Sequence, residues 1–166
     1  VSTAAVILDF NPISMWASVV VLLKQQLGQD VDVDAIGEQD FDADGELSVR
    51  TPAVRVVFGD EEATPIEMQG DNYAVEQSFG IICADQDLRD PQEQRVKALR
   101  LAQRVKRVLA GARLVTSYGE ISEPVLYRRM RPLPTANVGL AYVPEFCVPG
   151  IAQFPAPNAQ PSSGGQ

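Results

Sequence analysis

The sequence predicts an α+β fold: one two-layer domain, a mainly antiparallel sheet packed by two main helices. Two segments carry apolar residues at helical spacing, one near the start of the chain and one past its middle. The stretches between and after them alternate apolar with polar residues, the period of half-buried strands. Helix, strands, helix, strands is the order of a segregated α+β domain rather than of repeated βαβ units. A length of 166 residues suits a single compact domain.

Residues 1–10 fit either a short strand or an arm reaching a neighbour, and residues 11–150 form the expected domain. The first helix opens at Asn11-Pro12, a capping residue followed by proline at the first helical position. Trp16, Val19, Val20, Leu23 and Leu27 then fall on one face, Val21 and Leu22 widen it so that more than one side is open to being covered, and Gly28 supplies the stop. A short strand is expected around Val31 to Ile36 inside an otherwise exposed acidic loop. PAVRVVFG, Ala53 to Phe58 at its heart, reads as a strand, and a turn-rich stretch follows to Asp71. Tyr73, Val75, Phe79, Ile81 and Cys83 alternate as a long strand. The second helix, Pro91 to Ala110, carries the stripe Ala98, Leu101, Ala102, Val105, Val108 and Leu109, with Gly111 as its stop. Strands are expected near Leu114 to Tyr118, Val125 to Met130 and Val138 to Val148. The tail, residues 151–166, is rich in Pro, Ala, Ser, Gly and Gln and is expected to be disordered.

Composition removes most familiar chemistry. The chain contains no histidine, the commonest general base and zinc ligand. It contains no GxxxxGK[ST], no GxGxxG and no GxSxG. No apolar run approaches the roughly 20 residues of a membrane helix, so no membrane partner is expected. Nor does the run Val6-Ile7-Leu8 have the basic flank of a signal peptide. Cys83 and Cys147 belong to no CxxC pair and sit in apolar segments, which favours buried thiols over a disulfide.

Charge is divided along the chain. Residues 1–88 hold 17 acids and three bases, whereas residues 89–166 hold five acids and 11 bases, within a net charge of -8. DFDADGEL places Asp40, Asp42 and Asp44 as in the opening of a calcium loop, but Thr51 stands where the bidentate Glu is needed. A solvated acidic loop therefore accounts for these residues better than a metal site. Asp85 and Asp87, with Asp90, are the remote candidates for a metal-dependent enzyme; helix capping is the plainer account of this cluster. The bases fall into a helical set (Arg95, Arg100, Arg104, Arg107) and a triplet beside Tyr127 (Arg128, Arg129, Arg131). Either set could line a channel that DNA crosses unread, or meet the acidic half of an identical neighbour.

The order of these pieces resembles the tail-terminator, or tail-completion, proteins of long-tailed, Mu-like phages. The resemblance spans roughly Asn11 to Val148: an amphipathic helix, an acidic loop, PAVRVVFG, the long strand YAVEQSFGIICAD, DLRDPQEQ, a helix closing in RVLAGARL, then PVLYRRMRPL and VGLAYVPEFCV. It implies a structural virion protein of the neck region, assembled in the host cytoplasm. Its copies would form a hexameric ring that caps the tail tube, stops tube growth and joins a neck or connector protein, with DNA passing through the lumen. No catalytic residue and no cofactor are implied, and the arginines would face either the lumen or a neighbouring subunit. A head–tail stopper of similar size is the alternative.

Overall fold

The computed structural model of the chain describes residues 12–66, 72–86, 89–115, 119 and 121–153. Its elements in order are α1 (Pro12–Leu27), β1 (Asp32–Ala35), a single 3-10 turn (Glu38–Asp40), β2 (Ala53–Pro65), β3 (Asn72–Ala84), α2 (Pro91–Leu109), β4 (Arg113–Val115), β5 (Ile121–Pro124), β6 (Leu126–Thr135) and β7 (Gly139–Gln153). The main sheet has five strands in the order β1-β2-β3-β7-β6, and β4 and β5 form a separate pair. Among the described strands of this sheet only β1 runs parallel to its neighbour, and the other ladders are antiparallel. Two helices on a mainly antiparallel sheet are the α+β domain the sequence predicts.

The helices form where the sequence supplies both stripe and ends. Asp90 caps α2, its carboxylate accepting from the Gln92 N–H at 2.8 Å, with Pro91 next in line. Lys106 and Arg107 occupy the last turn, where the helix dipole favours cations. Ala98, Leu101, Ala102, Val105 and Leu109 are buried on the sheet, while Val108 is half-buried. Along α1, Met15, Val19, Leu23 and Leu27 face the core. Both flanks of α1 are covered as well, Trp16 and Val20 on one side and Leu22 and Ser18 on the other, while Val21 stays exposed.

Alternation along the strands sends one set of side chains under the helices. Val54, Val56, Phe79, Ile81, Cys83, Phe146 and Val148 meet the stripes of α1 and α2 there. A row of rings crosses this face from strand to strand. Trp16 meets Phe58 edge-on at 5.5 Å, Phe58 lies 6.3 Å from Phe79, Phe79 stacks on Phe146 at 5.6 Å, and Phe146 meets Tyr127 at 5.8 Å. Lys106 of α2 closes the row, its ammonium 4.2 Å from the centre of the Tyr127 ring. On the opposite face a smaller cluster (Leu47, Ala84, Val138, Ala141) is roofed by Ile36 and Val49 of the acidic segment.

The structure corrects several boundaries. β2 does not end at Phe58 but continues to Pro65, so the predicted turn-rich stretch is largely strand, paired with β3 from Glu61↔Gln77 to Pro65↔Tyr73. Its residues carry no apolar period because the strand is exposed there, and β3 supplies the ladder. β5 was not expected. β7 runs to Gln153, so the C-terminal tail begins no earlier than residue 154. β7 is also central despite Pro144, which has no N–H to give; the β3–β7 register has no partner for Ile81 or Ile82 at that level. The arm or strand expected for residues 1–10, and the tail from 154 onward, lie outside the described residues.

Candidate functional site

The acidic segment exposes most of its carboxylates, as expected, but is pinned to the sheet at Asp40. Arg55 is the third residue of β2, within its apolar half, 7% exposed and on the face opposite the helices. Its Nε donates to Asp40 Oδ1 at 2.7 Å and its Nη2 to Asp32 Oδ2 at 2.6 Å, and Nη1 reaches the Asp32 carbonyl at 2.9 Å. Burial works against the guanidinium's charge, but the two carboxylates outweigh it and hold the Arg55 pKa above its ordinary value. Asp40, 2% exposed, also accepts from the Gly37 N–H at 2.9 Å. This ion pair fastens residues 36–49 over the sheet.

The calcium-like aspartates are thereby accounted for. Asp40 is committed to Arg55, while Asp42 Oδ1 accepts from the Asp44 and Glu46 N–H groups and Oδ2 from the Asn137 amide at 2.7 Å. The Asn137 bond, followed by the backbone donors, lowers the Asp42 pKa. The motif closes a turn that docks on the β6–β7 connection. Among the described residues, no three Asp, Glu or Cys side chains are grouped to hold a metal ion. Of the other aspartates, Asp90 caps α2, Asp85 closes β3 without joining a cluster, and Asp87 lies outside the described residues.

The two arginine sets occupy different layers and do not come together. The β6 triplet projects from the face opposite the helices, beside a groove of about 420 Å³. Arg128 donates to Cys147 Sγ at 2.9 Å and to Glu76 at 2.6 Å. Arg129 and Arg131 grip the two oxygens of Glu145. Burial opposes ionisation of Glu145, but the two guanidiniums prevail and hold its carboxyl below the usual range. The triplet is thus engaged within the chain, three guanidiniums on two carboxylates, while its side chains stay half exposed or more.

The helical set differs. Arg104 donates to the Leu27 carbonyl at 3.0 Å and so finishes α1. Arg95, Arg100 and Arg107 have no hydrogen-bonding or ionic partner among the described residues. At about 100° per residue, Arg100 and Arg107 point almost together, directly away from the buried stripe, and Arg95 points well to one side. Val96 and Leu99 are exposed beside them.

A second charged surface went unnoticed in the sequence. From Gly59 to Pro65, β2 is exposed throughout and carries Asp60, Glu61 and Glu62, none with a partner among the described residues. Five acids and no base fall between Asp60 and Asp71. The unbroken GDEE run was the available signal, obscured because it reads equally well as a loop.

The cysteines are free and buried. Cys147 stands opposite Ser78, five residues along β3 from Cys83, hence about 17 Å away and far beyond disulfide reach. Burial pushes the Cys83 thiol pKa up; it does the same to Cys147, against the pull of Arg128.

No protein-family model matches the chain, and no curated protein matches it either. Among the described residues no helix is long and apolar enough to cross a membrane.

Proposed function

We propose that this chain is a structural virion protein: a tail terminator whose copies close into a six-membered ring on the head-proximal end of a phage tail tube. The ring stops tube growth, offers the surface that a neck or connector protein joins, and leaves a lumen through which DNA passes unread. One observation carries this reading. A small domain presents two surfaces of opposite charge, a basic outer face on α2 and an acidic extension of β2, whose charges are not paired with each other among the described residues. Unlike surfaces on one subunit build head-to-tail contacts, and such contacts close into rings when the rotation permits. The resemblance over Asn11 to Val148 supplies the place of that ring in the particle. The arginine triplet is already engaged within the chain, three guanidiniums on Glu76 and Glu145, and the reading does not depend on it.

Deleting the gene in its phage, with complementation in trans as control, tests the reading by negative-stain electron microscopy. Overlong or irregular tails unattached to full heads are the expected result. Normal-length tails beside emptied heads would move the protein to the stopper position, and complete infectious particles would refute both.

A further inference from the structure

We propose that the acidic β2–β3 arm of one copy docks on the outer face of α2 in a second copy of this chain. The inference rests on the ring reading and assigns that ring its contact. The arm carries more acid than the ion pairs of its own copy offset. Glu62 stands directly opposite Glu76 in the β2–β3 ladder, an unfavourable placement of like charges. Arg128 relieves Glu76 alone, through a bond of 2.6 Å. Asp60 lines the groove beside the β6 arginines without pairing to them, and Glu61 and Glu62 remain exposed with no ionic partner among the described residues.

The outer face of α2 has what the arm lacks. Arg100 and Arg107 lie about two turns apart on one line, unpaired among the described residues and flanked by exposed Val96 and Leu99. The arm in turn brings Ala63 and Pro65 beside its acids, so apolar and charged groups are available on both sides. One copy cannot make this contact with itself. The arm extends in the plane of the sheet, whereas α2 packs on β3 and β7 and turns Arg100 and Arg107 away from it. The partner is therefore another copy, and the contact repeats head to tail. Charge sets its register and orientation.

The test uses the full chain in sedimentation velocity at low salt, up to the solubility limit. One variant reverses the arm (Glu61→Lys with Glu62→Lys) and another reverses the helix (Arg100→Glu with Arg107→Glu). Wild type is expected to self-associate, and to dissociate at about 1 M salt, where charges are screened beyond about 3 Å. Each variant alone places like charges across the contact and weakens self-association by roughly a hundredfold or more. An equimolar mixture of the two restores it, because each arm then meets a helix of opposite sign; restoration also shows that both variants are folded. Wild type that stays monomeric, variants that associate as wild type does, or a mixture that stays apart would each overturn the contact. Unaltered assembly of both variants would leave the ring reading standing, since tail morphology in the deleted phage tests that reading whichever surfaces meet.

Discussion

Replacing Asp40 by leucine removes the one buried counter-ion of Arg55. The two side chains are 3% and 8% exposed, so the guanidinium would keep its charge in a site closed to water. Asp32 cannot make good the loss. Its side chain is 51% exposed, and its share of the attraction is screened to at most about 1 kcal/mol. Breaking a buried pair by removing one partner costs about 3–5 kcal/mol. In a chain of this size each kcal/mol lowers Tm by about 2–4 °C, so Asp40→Leu should melt roughly 6–20 °C below wild type. Asp40→Asn keeps an acceptor for the Gly37 N–H and should fall between the two. Adding Arg55→Met to Asp40→Leu removes the stranded charge, so the double variant should cost less than the two single variants together, by about 0.5–3 kcal/mol. Thermal and urea unfolding supply the numbers. Amide exchange at Ser48, whose N–H bonds the Asp40 carbonyl at 2.7 Å, reports whether the segment lifts from the sheet. An Asp40→Leu protein within about 0.5 kcal/mol of wild type, or strict additivity in the double variant, would refute the buried-pair argument.

Phe146→Ala removes the ring that links Phe79 to Tyr127 and should cost about 3–5 kcal/mol in urea unfolding; a loss under about 1 kcal/mol would mean the row contributes little. Gly139→Ala should destabilise by more than about 1 kcal/mol, because φ is +69° and the new methyl would collide with the Gln94 amide that bonds the Val138 carbonyl. Truncating that amide with Gln94→Ala should relieve part of the penalty. Glu145 has its folded pKa lowered, so its contribution is present above the unfolded value of about 4.3 and is lost as pH falls through the folded one. Wild-type stability should decline in that acidic window more steeply than that of Glu145→Gln. At neutral pH the variant should lose at most about 1 kcal/mol, since Arg129 and Arg131 are 65% and 59% exposed.

Periodic elements were the legible ones. α2 could be read from its stripe, its Asp90 cap and Gly111, and β3 from the alternation of Val75, Phe79, Ile81 and Cys83, because burial on one face writes its period into the sequence. The outer half of β2 was not legible. Its residues answer to no buried face, and only the partner strand makes them a strand. β7 carried a contrary signal in Pro144, which argues for an edge, yet the strand is central because the ladder skips that level. The site depended on pairings distant in sequence. Glu76 lies 52 residues before Arg128, and Asp40 lies 15 before Arg55, so neither match could be counted from local charge. An arginine inside VRVV, downstream of eight unmatched acids, was the trace of the second pairing that the sequence did contain.

The central position of β7 has a mechanical consequence. β7 is the longest strand and the last described element, hydrogen-bonded to β3 on one side and to β6 on the other. A pull on the chain beyond Gln153 acts along this strand and loads both ladders in shear. Many bonds then share the force at once, whereas a hairpin pulled open from its end surrenders them one at a time. Traction on that end would be carried into the sheet as a whole, and the first rungs to bear it are those from Asn72↔Gln153 to Gln77↔Val148, beyond the reach of β6.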